Sequence, residues 1–259
     1  MRRTILAAIC LTGLAPSAHA QSRPPTPSRP PAQSRSSKER IRISVNAADQ
    51  VTTRTLTQSF SVPINVEAAP IATSIGVARV PLFDIGGSYR FVNRLAVGVS
   101  VSSLSRDVDG TLDAKIPHPF YFNALRPISG NLSGLQHKET DVHVYAMYFV
   151  PVGRKLTVGL FGGPSHFNVK QDFVTDVDYT ASYPFDTAAF TGAPTENVST
   201  GVMGYNAGVD LSWRLSKVLA IGGLIRFTGA STTLSVARGN DVDARIGGLQ
   251  TGAGIRIIF

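Results

Sequence analysis

From Glu39 onward apolar side chains return at every second position, and no stretch sustains the 3.6-residue period of an amphipathic helix. Ile41, Ile43 and Val45 alternate with Arg42 and Ser44, and Leu95, Val97, Val99 and Val101 alternate with Ala96, Gly98 and Ser100. Over Tyr205 to Leu215, one face carries Tyr205, Ala207, Val209, Leu211, Trp213 and Leu215, and the other Asn206, Gly208, Asp210, Ser212 and Arg214. Leu219, Ile221, Ile225 and Phe227 stand opposite Ala220, Gly222, Leu224 and Arg226. Ala253, Ile255, Ile257 and Phe259 stand opposite Gln250, Gly252, Gly254, Arg256 and Ile258. Successive strand side chains point to opposite faces, so each run is a strand with one apolar and one polar side. Less regular strands over about 73–91, 140–150 and 156–169 bring the expected total to eight. No window holds 18 consecutive apolar residues, which excludes a helical membrane protein.

The connections narrow the architecture further. FVNR at 91–94, PVGRK at 151–155 and LSK at 215–217 are tight turns built on Asn, Pro, Gly or Ser. Between those hairpins the expected loops are long: about 52–70, 106–139, 171–200 and 235–245. Strict alternation of short and long is the mark of an up-and-down barrel in a membrane, with short turns on one rim and long loops on the other. A soluble barrel is apolar inside and charged outside; lipid demands the reverse, with every backbone group paired around a closed ring. The polar faces here hold Arg42, Arg90, Arg214, Arg226 and Arg256 together with many of the 24 glycines. Eight strands enclose a lumen only wide enough for packed side chains, so inward arginines need carboxylates. Asp210 is the clearest inward carboxylate and Asp84 a second; the expected lumen network is Arg42, Arg90, Asp210, Arg214, Arg226 and Arg256.

The first twenty residues carry Arg2 and Arg3, an apolar run from Ile5 to Leu14, and Ala18-His19-Ala20, the pattern of a cleaved secretory signal peptide (1–20). Residues 21–38 are rich in Pro, Ser and Arg and form an expected disordered linker. The barrel domain is expected over 39–259. Cys10 is the chain's one cysteine, so the mature segment has no thiol for a disulfide. Lys and Arg total 25 against 17 for Asp and Glu. Nucleic-acid binding is excluded by the secretory address and by the lack of an interleaved basic and aromatic patch.

Ile255 and Ile257 precede Phe259 on one face of the last strand. A C-terminal aromatic on such a strand resembles the signal by which bacterial outer-membrane barrels are taken up by their insertion machinery. Residues 39–259 resemble an eight-stranded outer-membrane β-barrel domain of the broad OmpA, OmpX and OmpW type. The stretches IPHPFYFN (116–123) and LFGGPSHFNVKQDFVTDVDY (160–179), with the terminal GGLQTGAGIRIIF, are similar to a bacterial group carrying that domain. The resemblance implies an all-β, antiparallel, up-and-down fold in the bacterial outer membrane, in contact with lipid and lipopolysaccharide. It carries over no catalytic residue and no cofactor. Unlike OmpA, the chain shows no C-terminal peptidoglycan-binding domain.

Candidate chemistry is sparse. His118, His137, His143 and His166 form no closely spaced ligand set, and His118 and His137 fall in an expected outer loop. Ser165 beside His166, with Glu139 near in space, is the best nucleophile and base arrangement. Segment 171–200 holds Asp172, Asp176, Asp178, Asp186 and Glu196 and no Lys or Arg, so it is a candidate for cation-mediated surface contact. Phe173, Tyr179, Tyr183, Phe185 and Phe190 there offer contact area for a partner, or pack the loop on itself. The expectation is a monomeric, non-enzymatic barrel with a packed polar lumen and a structural or surface-interaction role. The alternatives are a narrow pore or carrier for small or hydrophobic solutes, and a lipid-modifying barrel enzyme.

Overall fold

A computed structural model describes residues 40–236 and 240–259. The expected signal peptide and linker lie outside the described residues. Twelve strands follow in order: β1 (Ile41–Gln50), β2 (Arg54–Ile64), β3 (Glu67–Val77), β4 (Val80–Val92), β5 (Leu95–Pro117), β6 (Leu125–Pro151), β7 (Leu156–Val174), β8 (Asp178–Thr180), β9 (Ala189–Gly192), β10 (Thr195–Arg214), β11 (Leu219–Val236) and β12 (Asn240–Ile258). Eight of them, β1, β4, β5, β6, β7, β10, β11 and β12, pair antiparallel in a closed ring, with β12 returning to β1 and β5 bonded to β6. At the seam the Phe259 carbonyl accepts from the amides of Arg40 and Ile41, and the Phe259 amide donates to Ile41.

The exterior explains why the ring forms where it does. Val97, Val99 and Val101 of β5, Val142, Val144 and Tyr148 of β6, Leu211 and Trp213 of β10, Ile221 and Ile225 of β11, and Ile255 and Ile257 of β12 all point outward and stand exposed. They form one apolar belt. Phe91, Tyr148, Trp213 and Phe259 edge it near the short turns, and Phe83, Tyr205 and Phe227 edge it on the far side, the two aromatic girdles of a transmembrane barrel.

Over the described residues the long connections are largely strand rather than loop, and here the structure corrects the sequence reading. β6 runs for 27 residues and β5 for 23, whereas about 9–11 tilted residues cross a bilayer. More than half of each strand therefore rises beyond the membrane. The first hairpin does the same with an interruption: Gln50 pairs with Val80, Arg54 with Val77, and residues 51–53 face residues 78–79, one residue longer on one arm. Such an extra residue bends the ladder without ending it. β2 and β3 thus carry β1 and β4 upward, and β3 joins β5 through Ile71–Gly76. Segment 171–200 likewise becomes the top of β7, the β8–β9 ribbon and the start of β10.

Above the belt the two faces exchange character; along β5 the alternation keeps its phase, whereas on β6 an extra residue at 133–134 moves the inward set from odd to even positions. On β5 the outward positions change from Val97, Val99 and Val101 to Asp107, Asp109, Thr111 and Asp113. The inward ones change from Ser100 and Ser102 to Leu104, Val108, Leu112, Ala114 and Ile116. The inward apolar residues join Phe60, Val62, Ile71, Ile75, Ile128, Leu132, Leu135 and Val174 in one buried core. The lower storey is apolar outside and polar inside; the upper storey is built like a water-soluble β protein. Loss of the outward apolar residues reads in sequence as the end of a strand. In the fold it marks the bilayer surface.

Candidate functional site in the lumen

The lower storey is filled by the side chains that alternate with the belt. Nearest the short turns, Asp210 on β10 is held from two sides. Arg42 of β1 donates to Oδ1 at 3.0 Å, and Arg256 of β12 donates to Oδ2 through Nη2 at 2.7 Å and Nε at 3.1 Å. Ser212 adds a hydroxyl to Oδ1 at 2.7 Å. One layer up, Arg226 of β11 reaches across the ring to Asp84 of β4 at 2.9 Å, to Ser100 of β5 at 3.1 Å and to Gln250 of β12 at 2.8 Å. Asn46 donates to the other Asp84 oxygen at 2.8 Å, and Gln250 donates to Gln50 at 3.2 Å. Arg226 and Arg256 are at most 2 % exposed.

The glycines on the inward face make this packing possible. A Cβ added to Gly222 would stand 2.6 Å from Arg256 Nε, and one added to Gly98 would stand 2.5 Å from the Tyr145 ring. Only glycine lets these large side chains lie flat on the wall.

The top layer rests on β6, where His137, Glu139, Asp141 and His143 succeed one another on the inward face and are all buried. His137 Nε2 meets Glu139 Oε1 at 3.0 Å, and His137 Nδ1 meets Gln171 Oε1 at 2.6 Å. Arg54 of β2 approaches Glu139 at 3.9 Å and donates to the Arg245 carbonyl at 2.7 Å, bridging three parts of the wall. His143 Nε2 meets Ser102 Oγ at 3.0 Å, and His143 Nδ1 meets Ser165 Oγ at 2.7 Å. Asn206 donates to Ser165 at 2.9 Å. Inside the ring, the guanidiniums of Arg42, Arg54, Arg226 and Arg256 thus face the carboxyl groups of Asp84, Glu139, Asp141 and Asp210. Each guanidinium is paired with Asp84, Glu139 or Asp210, the last serving two, as buried ions require, and Asp141 takes a hydrogen bond from the Ser102 hydroxyl at 3.4 Å.

Of the residues expected in the lumen, Arg42, Asp210, Arg226 and Arg256 come together within it. Arg90 and Arg214 stand half-buried at the rim of short turns, with Arg90 over the Phe149 ring at 4.3 Å. Ile255, Ile257 and Phe259 lie outward on β12, in the belt.

Three sequence expectations fail. His137 is part of strand β6 and 4 % exposed rather than in a loop, whereas His118 lies in the β5–β6 connection, as expected, but buried at 6 % exposure. Ser165 and His166 are neighbours on a strand and so point to opposite sides: Ser165 is buried in the lumen and His166 is exposed. The expected nucleophile and base therefore never meet; the histidine that reaches Ser165 is His143. Finally, the acidic residues of 171–200 do not converge. Asp172 accepts from the Gln136 amide at 2.8 Å and from Asn197 at 2.7 Å, and Asp176 accepts from the Val177 amide at 2.8 Å. Asp178 opens β8 and Asp186 is exposed. Among the described residues no three His, Cys, Asp or Glu side chains gather as a metal site. The β6 row at 137, 139, 141 and 143 escaped the sequence reading, although its two-residue spacing already placed all four on one face.

A closed antiparallel ring of eight strands, an apolar belt edged by aromatics and a charged interior give this chain the fold of an eight-stranded outer-membrane-type β-barrel. No protein-family model matches the chain, and no curated protein matches it in sequence. Solved structures do. The outer membrane protein OprG from Pseudomonas aeruginosa is 8 % identical with a TM-score of 0.49, over 85 % of this chain and 96 % of that one. Ail, the attachment invasion locus protein of Yersinia pestis, is 14 % identical with a TM-score of 0.36, over 84 % and 98 %. The outer membrane protease OmpT from Escherichia coli is 7 % identical with a TM-score of 0.49, over 86 % and 97 %. Identities this low transfer no residue role.

Proposed function

We propose that this protein is a closed barrel that displays its upper storey at the cell surface, with a structural or interactive role rather than a conducting one. The observation that carries this reading is the filled interior. Charged pairs occupy the membrane-spanning storey, and an apolar core occupies the one above it. Two cavities in the lumen, one bordered by Arg42, Asp84, Asp210 and Arg226 and one by Arg54, His137, Glu139 and Gln171, have volumes of about 30 and 20 Å³. Each has room for about one water molecule, far less than a solute needs.

The test is conductance of the refolded full chain in planar bilayers. The expected outcome is a silent membrane. Steady single-channel steps from the unmodified protein would overturn the reading in favour of a narrow pore. Asp210→Ala, which opens the Arg42 and Arg256 layer, is the variant expected to leak.

A further inference from the structure

Three turns meet at the top of the upper storey. The β2–β3 turn touches the β5–β6 turn through Asn65 Nδ2, which donates to the Pro117 carbonyl at 3.2 Å, and through Glu67, which accepts from the Asn123 amide at 2.8 Å. The β7–β10 connection is tied to the same place by Arg126. This buried guanidinium donates to the carbonyls of Phe185 at 2.9 Å, Thr187 at 3.4 Å and Pro117 at 2.9 Å. His118, also buried, receives the amides of Phe120 and Tyr121 on Nδ1 at 3.1 and 3.3 Å. Two buried polar side chains therefore hold this apex in one shape.

What the apex presents is unlike the rest of the upper surface. Phe120, Tyr121 and Phe122 are 71 %, 66 % and 78 % exposed, Tyr183 is 85 % and Val66 is 94 % exposed. Phe120 and Phe185 meet edge to face at 5.7 Å. Residues 118–125 and 179–185 contain no Lys, Arg, Asp or Glu. All four non-glycine residues with positive φ among the described residues, Asn65, Val66, Asn123 and Phe185, belong to these three turns. A β-branched residue is poorly suited to φ +69°, and most hairpins of this kind put Gly there. Backbone in sparsely populated regions clusters where a particular surface must be presented.

From these observations we infer that the apex inserts its aromatics into the interfacial layer of an apposed lipid bilayer. This inference rests on the reading of the upper storey as a display body and names its partner. The chemistry selects lipid. The exposed aromatics sit on turns rather than in a cleft, and the charged groups nearest them are few: Glu67, occupied by the Asn123 amide, and Asp186 at the margin. Phe and Tyr settle readily at the boundary between headgroups and acyl chains. From Arg106, at the edge of the lower storey, to Pro117 runs about 35 Å of strand, which carries the apex well clear of the protein's own membrane.

The full chain is placed in lipid nanodiscs and mixed with neutral phosphatidylcholine vesicles, which are then floated on a density gradient. The protein-bearing discs are expected to rise with the vesicles, equally in low and high salt. The triple variant Phe120→Ser, Tyr121→Ser, Phe122→Ser is expected to retain about a tenth of that binding or less, with heat-modifiable gel mobility showing its barrel intact. In a Trp213→Phe background, the Phe122→Trp variant is expected to shift its emission to the blue on adding vesicles. Discs that stay behind like empty ones, equal flotation of the triple variant, binding abolished by salt, or an unshifted emission from the Phe122→Trp variant would each overturn the inference. A partner protein recognised through the apex would appear as the first of these outcomes. A silent bilayer in the conductance test would leave the display reading standing in either case.

Discussion

The two storeys of this barrel share β5, β6, β7, β10, β11 and β12 and the same two-residue alternation, yet they solve the burial problem in opposite ways. In the lower one, Arg226 and Asp84 are joined 2.9 Å apart while Val97, Val99 and Val101 face lipid. In the upper one, Leu112 and Ile116 are fully buried while Asp107 and Asp113 of the same strand face water. The difference teaches that the solvent on the outside decides what the inside must be. Lipid already satisfies apolar side chains, so hydrophobic burial drives nothing inward there, and the interior is left to paired charges and hydrogen bonds. Water restores the ordinary rule, and the strands close over an apolar core.

The largest effect should come from breaking the lower storey's charge balance. Asp210→Ala leaves Arg42 and Arg256 buried without their shared carboxylate, and removing one member of a buried ion pair costs about 3–5 kcal/mol. Urea unfolding in lipid vesicles should show that loss; Ile71→Ala, an upper-core truncation, should instead loosen the upper hairpins to protease and leave the membrane-spanning part protected. An unchanged midpoint for Asp210→Ala would mean that the network contributes little.

A second pair of variants tests where the boundary lies on one face of one strand. Val99→Arg places a charge in the belt and should cost about 2–4 kcal/mol if position 99 is near the bilayer midplane. Asp113→Arg, 14 residues further along the same outward face, should fall within about 0.5 kcal/mol of the parent in the same unfolding assay. Equal costs at the two positions would erase the distinction between the storeys.

The smallest effect is expected at the β2–β3 turn. Val66→Gly relieves a β-branched residue at φ +69° and should raise stability by about 1 kcal/mol. It should also slightly weaken vesicle flotation, because it deletes an exposed apolar side chain from the apex.

Much of the lower storey is legible in the sequence, since two-residue alternation names the faces directly. Ile255, Ile257, Leu211 and Trp213 lie outward, and Arg256, Arg226 and Asp210 inward, as their spacing implies. The upper storey is not legible in the same way. Segments 52–70 and 106–139 lose the outward apolar pattern and so read as loops, although Thr55, Thr57, Ser59 and Ser61 alternate with Gln58, Phe60 and Val62 as regularly as any strand of the belt. The Ser165 and His166 pairing fails for a related reason: adjacency in sequence is opposition on a strand.

The sequence by itself determined that the chain is built of alternating strands, which side of each belt strand is apolar, and that the arginines share the other side. Only the tertiary structure decided which charges meet. Arg42 and Asp210 are 168 residues apart, and their contact depends on the register of strands around a closed ring, which no local pattern records. It also decided where the inside becomes apolar. A period of two is the same in lipid and in water; what changes at the membrane surface is the medium against which each face is satisfied.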